Sequence, residues 1–201
     1  MKRWMPHIAL GLFFAQLLLM LGSWICSAAY PLSGVRSLLS GEGLRWLMAH
    51  FADTLSTPLL VWLLLGAMAY GVVRRSGLLA FRRRADQPLP TVYRESRARI
   101  MTLLLLVAYI GVLLLLTVVP HAVLLSATGR LWPSPFTQSI IPLTAFAAIV
   151  LGAFYGIVAG RLTNLRAVYD ALLDGIRAAA PLMLFYVLLM QLYASLLFVL
   201  M

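Results

Sequence analysis

From Gln138 to Gly160 the chain carries no charged residue. At about 1.5 Å per residue, such a run is long enough to cross a hydrocarbon layer roughly 30 Å thick. Composition places it in lipid rather than in a soluble core. Of 201 residues, 63% are hydrophobic and only 11% charged, and the mean hydropathy is +0.96. A water-soluble domain is nearer half apolar and a quarter charged. Within the run, Ala148, Gly152, Gly156 and Gly160 fall four apart, so one stripe of the helix is nearly bare. Bare stripes let helix backbones approach where lipid removes the hydrophobic drive to associate. The stripe therefore predicts a packed neighbour, either a helix of the same chain or the seam of a homodimer.

The other apolar runs predict four more spans. Lys2 and Arg3 precede a run from Ile8 to Tyr30. Ser27-Ala28-Ala29 would suit a signal-peptide cleavage site, but the run exceeds the 7–15 residues of a signal core, so it reads as a retained first span. Leu44, Leu47, Met48, Phe51 and Leu55 then recur at helical spacing between Pro31 and Thr57, with Arg45, His50 and Asp53 on other faces. This is an amphipathic helix, too short and charged to span, expected in the interface. Further spans are expected over 58–73, 100–119, 138–160 and 181–201, with an arginine-rich cytoplasmic loop over 74–99. A second amphipathic helix is expected over 161–180, ended by Pro181, which starts the fifth span. The fold class is all-α: one polytopic membrane domain over 1–201, with five transmembrane helices and two interfacial ones.

Charge predicts the orientation. With the N-terminus inside, Lys2, Arg3, the loop arginines (74, 75, 82, 83, 84, 94, 97 and 99), Arg161, Arg166 and Arg177 are cytoplasmic. Only Arg36, Arg45 and Arg130 are then outside, as the positive-inside rule requires. The C-terminus is therefore expected outside. The basic loop is sufficiently explained as an anchor touching anionic lipid, and the aromatic interleaving of a nucleic-acid face is absent. Trp24, Trp46 and Trp132 fall near predicted outer boundaries and Trp4 near the inner one.

Chemistry-bearing groups avoid the spans. Glu42, Asp53, Asp86, Glu95, Asp170 and Asp174 all lie in connections, as do His50 and His121, with His7 at the edge of the first span. Intramembrane carboxylates and histidines mark proton and ion pathways, so their absence counts against a self-contained proton-coupled carrier. No zinc, nucleophile-elbow or phosphate-loop motif is present, and the single Cys26 excludes a disulfide within the chain. Neither an enzyme nor a cofactor is expected. Gln16, Thr144, Tyr155, Tyr186, Gln191, Tyr193 and Ser195 remain inside the spans, as candidates for interhelical hydrogen bonds.

Two segments resemble a known family. The first is Leu38-Leu39-Ser40-Gly41-Glu42-Gly43-Leu44-Arg45-Trp46-Leu47, with Pro58-Leu59 and Ser76-Gly77-Leu78. The second is Ser134-Pro135-Phe136, Ile141-Pro142-Leu143, Gly152-Ala153-Phe154-Tyr155-Gly156-Ile157 and Ala159-Gly160, then Gln191. Together they resemble the p-aminobenzoyl-glutamate transporter (AbgT) family, the second segment more specifically. The resemblance implies a multi-pass protein of the bacterial inner membrane, associated with p-aminobenzoyl-glutamate uptake or sulfonamide-type antimetabolite export. It implies a dimer, or a partner membrane protein, and a small-molecule substrate. Relative to the family, the chain reads as a shortened member. The arginine loop stands where hairpins and a polar core would follow, and Leu196, Leu197 and Phe198 stand at an Asn-Trp-Ser stretch. No substrate-binding residue carries over. Arg45, Pro142, Gly152, Tyr155, Gly156 and Gly160 are implied to be signature positions of structural, helix-packing type. Two other readings stay open: a non-transporting scaffold or assembly subunit, and a fragment without function.

Overall fold

The computed structural model describes residues 4–30, 34–79, 89–118 and 135–200. Lys2, Arg3, Arg82, Arg83, Arg84, Asp86, His121, Arg130 and Trp132 lie outside the described residues. Among the described residues there are seven helices and no strand: α1 (Met5–Ala29), α2 (Gly41–Ala49), α3 (Phe51–Leu55), α4 (Pro58–Ser76), α5 (Leu89–Val118), α6 (Pro135–Val158) and α7 (Leu165–Leu200). Helices α1, α4, α5, α6 and α7 are long and apolar enough to cross a membrane. The chain is an all-helical, polytopic membrane protein.

Three boundaries depart from expectation. Helix α5 starts at Leu89, so residues 89–99 are helical rather than part of the arginine loop. Pro90 falls in its first turn, where the missing N–H costs nothing, and Arg and Glu are good helix formers. Likewise Arg74 and Arg75 form the last turn of α4. The second amphipathic stretch is not a separate helix: α7 runs unbroken for 36 residues with Pro181 inside it. Gly175, which packs against α4, does not break the helix before Pro181, and a spanning helix tolerates the one backbone bond a proline removes. The first amphipathic helix, in contrast, divides at His50 (φ −101°, ψ 7°) into α2 and α3.

The chain forms two compact units, Met1–Val61 with Ala180–Met201 (unit 1) and Trp62–Ala179 (unit 2). In unit 1 the core is Leu38, Phe198 and Val199, with Leu19, Met20, Val35 and Trp46 packed around it. Polar side chains tie the pieces together. The only buried residue of α1 is Ser23, whose hydroxyl accepts the Leu38 N–H at 3.2 Å and donates to Met20 O at 2.9 Å. Gln16 Nε2 donates to Ser195 Oγ at 2.7 Å, and the Tyr186 hydroxyl joins Thr57 Oγ1 at 2.5 Å and Leu55 O at 2.8 Å. Ile8, Leu10, Phe13, Phe14, Leu18 and Leu21 stay exposed on α1, as a lipid-facing helix requires. Ser40 caps α2 by accepting the Gly43 N–H at 3.0 Å. The apolar stripe of α2–α3 is not what packs: Leu44, Met48 and Phe51 are exposed, while Trp46 stacks on Phe198.

Unit 2 pairs α5 with α6, and the Tyr109 hydroxyl donates to Leu143 O at 2.9 Å between them. Its core is Val72, Leu162 and Ala171, with Ile149, Ala153, Ala167, Val168 and Leu172 against it.

Candidate functional site

The most closely packed part of unit 2 is made by glycines. A Cβ on Gly71 would strike Ala171 O and stand 2.5 Å from Gly175 N; one on Gly175 would strike Ala67 O and stand 2.9 Å from Gly71 N. Helices α4 and α7 thus touch backbone to backbone across Ala67/Gly71 and Ala171/Gly175. Both pairs are four apart in sequence, the spacing that puts two small residues on one helix face. The sequence reading missed this crossing, although its signal was the same as that of the α6 stripe.

That stripe also meets α4. A Cβ on Gly152 would stand 3.1 Å from Val72 Cγ1 and 3.5 Å from Val73 Cγ2. On Gly156 it would stand 2.5 Å from Leu162 Cδ1 and 3.1 Å from Ser76 Cβ. The neighbour of these two glycines is therefore a helix of the same chain. Gly160 leaves the stripe, because α6 ends at Val158 and Gly160 takes φ +73°. The Arg161 and Leu162 N–H groups then both donate to Gly156 O, at 2.8 and 2.9 Å. Such a left-handed turn closes a helix and favours glycine. Tyr155 is fully buried on α6, and Pro142 lies inside the same helix. Arg45 is apart from these positions, exposed on α2 in unit 1.

A second left-handed glycine, Gly77 at φ +72°, follows α4. Each of the two helix ends is covered by an arginine from elsewhere in the chain. Arg161, just past the end of α6, donates to Ser76 O at the end of α4 (3.3 Å). Arg94, on α5, donates through Nε to Val158 O at the end of α6 (3.0 Å). A Cβ on Gly77 would run into the Arg161 guanidinium, and one on Gly160 into that of Arg94. Glu95 completes the group by accepting from Arg161 Nη2 at 2.7 Å. Helix C-termini leave carbonyls unpaired and carry partial negative charge, so a guanidinium answers both needs. In sequence Arg94 and Arg161 read only as orienting charges and Glu95 as an acid in a connection; their convergence joins residues 64 to 85 positions apart, which no local pattern reveals.

This arrangement holds helix ends together. Among the described residues, no group of three His, Cys, Asp or Glu could hold a metal ion.

A family model described as the AbgT putative transporter family matches residues 85–200, more than half of the chain. No curated protein and no solved structure matches. The match takes in α5, α6 and α7, and with them Arg94, Glu95, Pro142, the α6 glycines and Arg161; the resembling segment over 38–78 precedes it. This supports a membrane transport role, and the chain, which has five helices long and apolar enough to span and matches that model over more than half of its length, belongs to the AbgT family.

Proposed function

We propose that the chain transports an amphipathic organic anion, p-aminobenzoyl-glutamate or a sulfonamide-type antimetabolite, and does so as a homodimer or with a second membrane chain. The carrying observation is the family match over α5–α7. More than one copy is proposed on grounds of enclosure: a drug-sized site occupies some 300 Å³ or more, and five spans would have to wall it off from lipid while also satisfying lipid on their outer faces. Reconstituted liposomes test the reading. Accumulation of labelled p-aminobenzoyl-glutamate or a sulfonamide above empty-vesicle leakage is expected, by the chain alone or with membrane proteins encoded beside it; flux of neither, in either setting, sinks it.

The proposed setting is the bacterial inner membrane, N-terminus inside. In its support, Ser76, Glu95, Val158 and Arg161 gather at one end of unit 2, near Arg74, Arg75, Arg97 and Arg99 in sequence, and a basic end belongs in the cytoplasm. In a Cys26→Ser background, a Ser56→Cys thiol should react with a membrane-impermeant maleimide in intact cells. A Thr163→Cys thiol should react only after permeabilisation, and the reverse pattern overturns the orientation. Gly152, Tyr155, Gly156 and Pro142 serve this body as packing positions. The scaffold alternative would need the α6 stripe free for a partner, whereas Gly152 and Gly156 already face α4.

A further inference from the structure

Unit 1 contains an open cleft of about 630 Å³, with Arg36, Glu42, Arg45, Trp46, His50 and Phe198 on its walls. Its aromatic side is ordered. The Trp46 and Phe198 rings stack at 4.5 Å and 24°, His50 stacks on Trp46 at 5.8 Å, and the Arg36 guanidinium lies over Phe198 at 5.9 Å. The His50 ring is further held by a 3.2 Å contact from Nδ1 to Trp46 O.

The backbone beneath the two arginines is also fixed. The Arg36 N–H donates to Val199 O at 3.2 Å, and two residues on, the Leu38 N–H is bound by Ser23. Arg45 rides on α2, whose first turn is capped by Ser40 and lies so close to Leu38 that a Cβ on Gly43 would stand 2.6 Å from its carbonyl oxygen. The charge on the walls of this cleft is not neutralised by ion pairs. Arg75, Arg161 and Arg177 each have a carboxylate within ion-pair distance. Among the described residues, Arg36 and Arg45 have none, as is also true of Arg74, Arg94, Arg97, Arg99 and Arg166; what sets Arg36 and Arg45 apart is that they line one cleft together with stacked aromatic rings. Glu42 lines the same cleft but sits in the first turn of α2, where the helix dipole already favours an acid. Arg36 and Arg45 give the walls two positive charges against the one negative charge of Glu42.

We propose that this cleft binds an oxyanion carried on an apolar body: a carboxylate or phosphate head taken up by Arg36 and Arg45, with the body laid against Trp46 and Phe198. Guanidinium forks match carboxylate and phosphate oxygens in pairs. Aromatic walls accept a flat ring or an acyl segment, and positioned cations on a fixed backbone need little reordering to bind. An aromatic acid and the headgroup of an anionic phospholipid share this chemistry. The site is independent of the transport reading, because binding is measured without flux.

The test uses the full chain in a neutral detergent. One arm counts dioleoylphosphatidylglycerol molecules retained in native mass spectrometry, with dioleoylphosphatidylcholine as the control of zero net charge. The other titrates 2-naphthoate by calorimetry. At least one anion should bind, and Arg36→Gln/Arg45→Gln should weaken it about tenfold or more, with helical circular dichroism and elution volume unchanged. Phe198→Leu should weaken it several-fold, and Arg74→Gln, a change in unit 2, should leave it alone. Loss confined to the glycerol lipid assigns the site to the membrane, and loss confined to naphthoate assigns it to a soluble acid; either outcome supports the cleft. Binding of neither anion, equal retention of the choline lipid, wild-type binding by the double variant, or an equal loss in Arg74→Gln overturns it.

Discussion

In unit 1 a few polar side chains hold segments together: Ser23 holds Leu38, Gln16 reaches Ser195, and Tyr186 spans Thr57 and Leu55. In unit 2 the contacts that matter lack side chains on one side or both, with Gly71 against Gly175, Gly152 and Gly156 against α4, and arginines lying on Gly77 and Gly160. Lipid competes well for apolar side chains, so a membrane protein can gain association from hydrogen bonds or from close backbone approach. The two routes differ in what substitution does. A lost hydrogen bond removes one modest contribution; an added side chain forces two helices apart.

Ordered by expected effect, the sharpest challenge to this contrast is Gly71→Leu or Gly175→Leu. Either should cost more than about 3 kcal/mol, since backbone rather than a flexible side chain must move, and should show as loss of the thermal transition in detergent. A transition within a few degrees of wild type would mean the crossing is looser than its geometry. Next comes Arg161→Gln, which uncovers the end of α4 and leaves Glu95, whose side chain is only 17% exposed, without its cation. A loss of about 1–3 kcal/mol is expected, and Arg161→Lys should restore only part of it, because an ammonium lacks the fork that reaches Glu95 and Ser76 together.

Ser23→Ala probes the other route. It strands the buried Leu38 N–H, for about 1–2 kcal/mol, and amide exchange at Leu38 should accelerate more than at neighbouring helical positions. Gln16→Leu should cost least, near the roughly 0.6 kcal/mol typical of an interhelical hydrogen bond in a membrane. Among the described residues the buried Gln16 Oε1 has no hydrogen-bond partner, so removing the amide also removes that burden. Should Gln16→Leu prove as damaging as Gly71→Leu, the distinction between the units would fail.

The spans were legible because each is a long charge-free run, and the α6 stripe because its spacing repeats. The end of α5 was not, since Pro88, Pro90 and a cluster of arginines suggest a loop whereas Pro90 in the first turn merely begins a helix. Pro181 misled in the opposite sense: it suits a helix start, yet α7 passes through it. The pairing of Ala67/Gly71 with Ala171/Gly175 could have been listened for in the four-residue spacing, but only the fold chooses which small face meets which. Arg45 was singled out by resemblance alone; Arg36 lies close before it in sequence, but Phe198, which completes the cleft, comes from the far end of α7.

The division of the chain also sets an order of events on the ribosome. Residues 62–179 are contiguous, so everything unit 2 requires has been synthesised before the last stretch of α7 emerges. Arg36, Leu38 and Trp46 are made early yet find their counterparts only in Phe198 and Val199. During translation this first-made loop must wait in an unfinished state, and a chain stalled before residue 180 would present it to the cell's proteases while the interior of unit 2 is already complete.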